Sequence, residues 1–432
     1  MTAQKHSIGI AVVLIFTTAT LMTNTRAYAQ TERALYNFND IDSGSDGIRP
    51  MSKLIFDSLG NLYGTTSQGG AFGFGIVFEL APRGGGGWSE TVLHNFQYSE
   101  GGSPANQGGL IFDAAGNLYG IGNDGGAYGY GTVWELTPNP GGEWTATVLH
   151  DFSYGGKDGY LPSGSLIFDA AGNLYGTTNW GGTGQCLSEA DLVGCGTVFE
   201  LSPKSGGGWS EKVLHSFGLG TDGTFPVGGL VFDAAGNLYG VTYEGGTGSC
   251  LRTGYPGCGI VFELLPEAGG RWAERVLHYF NLSDGGWPVG SLIFDAVGNL
   301  YGMTNGGGAY DFGTAYELVP GPKGGWGEKI LHNFNQSGVS GAAPYAGLIF
   351  DSAGNLYGTT SAYGAAGSGT AFELKPTTSG PWTEWVLHAF GSGPRDGVNP
   401  VDSLIFDTAG NLYGTTDAGG TSSYGTVFEI KR

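Results

Sequence analysis

One string of residues returns seven times along the 432-residue chain. It reads Leu54-Ile55-Phe56-Asp57-Ser58-Leu59-Gly60-Asn61-Leu62-Tyr63-Gly64, and it recurs at 110–120, 166–176, 230–240, 292–302, 348–358 and 404–414. Self-similarity at a fixed period restricts the fold to units that pack on copies of themselves, because one small unit cannot bury both of its own faces. Within each copy two short apolar, β-prone runs flank Asp-x-x-Gly. The glycine takes positive φ at the bulge of a tight hairpin, and the aspartate accepts hydrogen bonds from the backbone just ahead.

Two further apolar runs complete a unit. Gly75-Ile76-Val77-Phe78-Glu79-Leu80 follows one Gly-rich loop, and Trp88 to Phe96 follows a second. No sustained helical spacing of apolar residues occurs beyond the N-terminus. Each unit therefore reads as a four-stranded meander. The repeated aspartates fall at 57, 113, 169, 233, 295, 351 and 407. That spacing is a propeller blade with generous loops, since blades of this kind run roughly 40–50 residues.

Residues 1–29 are written differently. Lys5 precedes an apolar run from Ile8 to about Leu21, and Ala27-Tyr28-Ala29 is an A-x-A cleavage site. This is a secretory signal peptide, and it leaves residues 30–432 as a single exported domain, extracellular or periplasmic, with no membrane span after cleavage. The full chain carries a formal charge of −20, with 18 basic and 38 acidic residues. Loss of Lys5 and Arg26 with the leader leaves 16 basic residues and a charge of −22. Nucleic acid and anionic lipid are poor partners for such a surface. The 85 glycines do not signal disorder, because 40% of the chain is hydrophobic and its aromatics recur in register. A monomer is expected.

All four cysteines sit in two loops. Cys186 and Cys195 bracket an insertion in the third unit, and Cys250 and Cys258 bracket one in the fourth. In an exported protein these read as two local disulfides, since a zinc site would show C-x-x-C spacing.

The two ends of the domain complement each other. Arg33 to Phe38 matches the last strand of a unit, and the seventh unit stops one strand short at Arg432. The expected fold is all-β: a seven-bladed propeller whose N-terminal strand completes the last blade and leaves no open edge.

In such a meander the inter-blade loop and the loop between strands two and three emerge together. The inter-blade loops carry Asp46, Asp158, Asp222, Asp284 and Asp396, each with a proline four residues on. The second set is Gly-rich and aromatic, and both cysteine pairs belong to it. This variable face is the expected site, with Asp124, Asp311, Trp180, Tyr130 and Tyr243 added to the five aspartates as candidate binding residues.

The unit Leu-Ile-Phe-Asp-x-x-Gly-Asn-Leu-Tyr-Gly-Thr-Thr, then Gly-Thr-Val-Phe-Glu-Leu, then Val-Leu-His-x-Phe, resembles the GloVer tandem repeat of exported bacterial proteins. More loosely, Leu110 to Tyr119 is similar to the strand opening of NHL-type propeller repeats. The resemblance implies an exported repeat protein and brings no catalytic residues with it. Its members carry surface anchors after the repeats, whereas this sequence reads to Arg432 without one.

Candidates for chemistry are few. His94, His150, His215, His278, His332 and His388 occupy one strand position, with Tyr36 in the N-terminal copy. A residue present once per blade is a blade residue, and no odd histidine remains for a catalytic set once His6 leaves with the leader. The Asp57 series could hold Ca²⁺ through hard carboxylate oxygens, but Asp-x-x-Gly reads first as a turn cap, and the Asp46 series on the inter-blade loops carries the same two readings. No other cofactor is implied, and no Walker, G-x-S-x-G or H-E-x-x-H string occurs. The primary expectation is a non-catalytic module binding a glycan or a surface protein. The alternative is a secreted propeller hydrolase or lyase acting on polysaccharide or a lactone, with Ca²⁺ as its candidate cofactor. It would require off-consensus residues such as Asn123, Asp124, Trp180, Glu244, Asn305, Asp311 and Asp417 to converge.

Overall fold

The computed structural model describes residues 32–39, 46–104, 108–155, 157–187, 192–218, 220–250, 256–322 and 324–432. The leader expected at 1–29 lies outside them. Seven small antiparallel sheets form a ring, a seven-bladed β-propeller. The fourth blade shows the plan, with Gly223–Phe232 innermost, then Leu238–Gly245, Ile260–Pro266 and Trp272–Tyr279 outermost.

The last blade is built from both ends of the chain. Glu32–Asn37 pairs antiparallel with Thr426–Ile430, matching Ala34 to Phe428 and Tyr36 to Val427. The missing edge is thereby filled, as the sequence leads one to expect.

The core lies between blades rather than within them. Each of seven apolar clusters draws on two neighbouring blades, and the one holding Phe38, Leu54, Phe78 and Val427 joins the last blade to the first. At each junction the outer-strand phenylalanine packs on an aromatic of the next blade's third strand. The pairs are Phe96–Trp134, Phe152–Phe199, Phe217–Phe262, Phe280–Tyr316, Phe334–Phe372, Phe390–Phe428 and Phe38–Phe78, with centroids 4.9–5.3 Å apart. Such pairs contribute about 0.5–1.5 kcal/mol beyond area burial. They also explain the glycine of Asn-Leu-Tyr-Gly, since a Cβ on Gly64 would meet Phe78 Cζ at 2.6 Å.

The repeated aspartate is a turn cap. Asp57 Oδ1 accepts the Leu59 and Asn61 amides, while Oδ2 accepts Asn61 Nδ2 and Tyr63 Oη. The Glu79 series lies on the neighbouring strand. Glu135, Glu263, Glu317, Glu373 and Glu429 each accept the tyrosine hydroxyl of that same blade.

Candidate functional site

Polar clusters sit at the blade junctions. The histidine of one outer strand faces an acid of the following loop and a glutamate of the next blade's outer strand. His388 Nε2 lies 3.0 Å from Asp396 Oδ1, and Glu32 completes the group. His150 pairs with Asp158 at 3.1 Å, His215 with Asp222 at 3.4 Å and His278 with Asp284 at 3.5 Å. At the closing junction Tyr36 Oη donates to Asp46 Oδ2 at 3.0 Å, beside Glu90. His94 instead meets Glu100, and His332 meets Glu384 at 3.5 Å.

Burial dominates the protonation of these groups. It pushes the carboxyls of Glu32, Glu90, Glu211, Glu274, Glu328 and Glu384 up to about 7. It also lowers the His332 imidazole to about 4. Burial works against Asp396 too, but hydrogen bonds from His388 and Ser392 hold it below the usual carboxylate range. Among the described residues three groups bring a histidine nitrogen and two carboxylate oxygens within 4.8 Å of one another: Glu32/His388/Asp396, His215/Asp222/Glu274 and His278/Asp284/Glu328. These are the places where a divalent ion could find three protein ligands. The loop aspartates Asp46, Asp158, Asp222, Asp284 and Asp396 thus turn inward to brace neighbouring blades.

The other candidate residues are distributed around the face. Asp124 accepts from Ser103 Oγ at 3.4 Å in the second blade. Trp180 of the third blade packs edge-on against Phe225 of the fourth, with centroids 4.5 Å apart. Tyr130 stands with Tyr154 and Tyr160 at the junction of the second and third blades. Tyr243 lies half-buried in the second strand of the fourth blade, and Asp311 is exposed in a loop of the fifth. Asn123 donates to the Pro162 carbonyl, Asn305 to the Pro344 carbonyl, and Asp417 accepts from Arg49. Asn123, Trp180, Asn305 and Asp417 therefore each tie one blade to its neighbour, at four separate points of the ring. The four cysteines form the two expected bonds, Cys186–Cys195 and Cys250–Cys258.

Two grooves open on this face. One, of about 790 Å³, is lined by Phe72, Phe74, Tyr98 and Tyr128 with Gln97 and Ser99. Another, of about 510 Å³, lies between Tyr310 and Phe312 on one side and Asn335, Gln336 and Ser337 on the other. The aromatics are accessible, with Tyr128 62% exposed and Tyr310 56%.

One set of residues was not legible as a site. At the same step of every innermost strand a non-glycine residue adopts positive φ: Arg49, Ser103, Leu161, Phe225, Trp287, Ala343 and Asn399. Each donates its amide to a carbonyl of the preceding blade, as Arg49 does to Tyr424 at 2.9 Å and Asn399 to Ser368 at 3.0 Å. The only sequence signal is that each precedes a proline.

These features define a seven-bladed propeller repeat module with a variable, aromatic-bearing face. The chain belongs to the Gloeobacter/Verrucomicrobia repeat family, whose model matches residues 16–253 and 248–432. No curated protein matches it. Among solved structures it is similar to the extracellular domain of a protein from B. thetaiotaomicron described as a hybrid two-component system. The identity there is 12% and the TM-score 0.51, over 93% of this chain and 41% of that one. That likeness shows the fold, and this chain spans well under half of the longer protein. It is also similar, at 13% identity and a TM-score of 0.49, to a Bacteroides uniformis protein described as a 6-phosphogluconolactonase, over 82% of this chain and 88% of that one. Among the described residues no helix is long and apolar enough to cross a membrane.

Proposed function

We propose that this protein is an exported, monomeric, non-catalytic binding module whose variable face holds glycans. The observation that supports this reading most is the groove between the first and second blades, where exposed aromatic planes stand beside an amide and a hydroxyl. Aromatic faces stack on the C–H face of a sugar, and short polar groups at the rim take its hydroxyls. The two disulfides suit an oxidising compartment, and the net acidity favours neutral saccharides over polyanions.

The test is a glycan array probed with the protein lacking residues 1–29, with and without Ca²⁺, followed by titration of the hits against Tyr128→Ala. Binding that weakens at least tenfold in Tyr128→Ala is expected. An array without hits, from a protein that melts cooperatively, would overturn the reading.

A further inference from the structure

We propose that the junction between the fourth and fifth blades is a zinc site whose protein ligands are His278 Nε2, Asp284 and Glu328. His215, Asp222 and Glu274 repeat it one junction earlier. Each set converges from three separate elements: the outer strand of one blade, the loop after it and the outer strand of the next. Within each set one atom from every side chain lies within 4.8 Å of the other two. Spacing and ligand type both point to zinc. Bonds of about 2.0–2.2 Å at the tetrahedral angle put neighbouring ligand atoms about 3.4 Å apart. His278 Nε2 stands 3.5 Å from Asp284 Oδ2, and His215 Nε2 stands 3.4 Å from Asp222 Oδ2. An imidazole nitrogen beside two carboxylates suits a borderline ion such as Zn²⁺. It is a poor set for Ca²⁺, which takes oxygen throughout.

Direct bonding falls short at these two junctions. Between the sixth and seventh blades the same residue types close on one another, with His388 Nε2 at 3.0 and 3.1 Å from the two Asp396 oxygens. Between the fourth and fifth, among the described residues, His278 Nε2 and Glu328 Oε1 are both buried without a hydrogen-bond partner. Glu274 Oε1 is orphaned in the same way. Buried acceptors left unpaired cost free energy, and neighbouring carboxylates repel; a divalent cation offsets both. The ligands are also held in place beforehand. The His278 and His215 rings stand edge-on to the buried Phe280 and Phe217, with centroids 4.7 and 4.6 Å apart. Asp284 accepts the Asn281 amide at 2.8 Å, and Asp222 accepts those of Gly218 and Gly223 at 2.9 and 2.8 Å. Such support lowers the ordering cost of binding. Solvent reaches the site to supply a fourth ligand, since the His278 and Asp284 side chains are each 16% exposed.

The ring itself shows which substitutions a blade accepts. Ala146 stands in the second blade where Glu274 and Glu328 stand in theirs, and Ser340 takes the place of Asp284 ahead of the sixth. The experiment strips the protein with EDTA, dialyses it against Zn²⁺ and counts bound metal by elemental mass spectrometry. It compares wild type with Glu328→Ala, Asp284→Ser and the double variant Glu274→Ala, Glu328→Ala, each checked for a cooperative melt. One zinc per site is expected: two per chain in wild type, one in either single variant and none in the double. Zn²⁺ should also raise the wild-type melting temperature, and a large excess of Ca²⁺ should leave the bound zinc in place. Wild type that holds no zinc, or a double variant that holds as much as wild type, overturns the proposal. So does displacement of the zinc by Ca²⁺.

Discussion

Arg49 and Asp417 stand 368 positions apart in the chain, yet Arg49 Nε donates to Asp417 Oδ1 at 2.8 Å. The pair crosses the junction where the two ends of the domain meet. Beside it Arg49 bonds the Tyr424 carbonyl, and Pro50 packs on Gly425 as Pro104 does on Gly75 at a covalently continuous junction. Closure therefore repeats the ordinary blade contact.

Gly425 should be the most sensitive point of this junction. Its φ is +99°, and a Cβ there would lie 2.4 Å from the Thr416 carbonyl and 2.5 Å from Pro50 Cδ. Gly425→Ala should destabilise the protein by more than about 2 kcal/mol in urea unfolding. Asp417→Asn breaks a partly exposed ion pair and should cost about 1 kcal/mol or less. Equal, small effects for both would show that the junction is not packed this way.

The junction glutamates set a pH dependence. Their folded carboxyls sit at about 7 because of burial, above the ordinary value of 4.5. Folding thus favours the protonated form, which carries no charge penalty below pH 4.5. The penalty grows as pH rises through about 7. The capping carboxylates Asp169, Asp233, Asp295, Asp351 and Asp407 act oppositely. Burial raises them, but backbone and side-chain donors outweigh it and hold them below 3.8, so their contribution disappears as pH falls past that value. The melting temperature should peak near pH 4.5–5.5 and decline towards pH 8. A triple Glu211→Gln, Glu274→Gln, Glu328→Gln variant should flatten the alkaline limb. A wild-type maximum at pH 8 would contradict this.

Asp402 is a separate case. It is buried at the closing junction, in a position where the other blades have serine, glycine or alanine. Burial pushes it up to about 7, with the nearby Lys53 acting against that rise. Asp402→Asn should leave stability at pH 5 nearly unchanged and raise the melting temperature at pH 8, by the charge penalty removed. A lower melting temperature at both pH values would mean that the carboxylate is needed as an ion.

The turn caps can be weighed singly. Asp233 accepts the Ala235 and Asn237 amides, Asn237 Nδ2 and Tyr239 Oη. Asp233→Ala should cost roughly 1–3 kcal/mol by denaturant titration, since partly buried donors lose their acceptor. Serine at this position should recover part of it.

Architecture was legible because it is written seven times. Leu54 to Gly64 and its copies fix strand, turn and period together, and the unmatched strands at Tyr36 and Phe428 reveal the closure. The inward turn of Asp46 and its counterparts was hidden, because its cause is the histidine of the preceding strand and the glutamate of the next blade, such as His388 and Glu32 about Asp396. That glutamate follows the tryptophan by two positions in most units, but spacing within one unit cannot show a contact between two. Lys53 and Asp402 were missed for the same reason. The left-handed ring at Arg49 and Trp287 was hidden more deeply, since backbone sign is not a property of residue type.

Ring closure is tested most directly by joining its ends. Arg33 and Glu429 are register partners in the last blade, so an Arg33→Cys, Glu429→Cys variant should oxidise to a bond within one molecule. Mass spectrometry of the digested monomer should then find the N-terminal and C-terminal peptides linked. A bond formed only between molecules, or none under conditions that oxidise the native pairs, would contradict the ring and the face assigned from it.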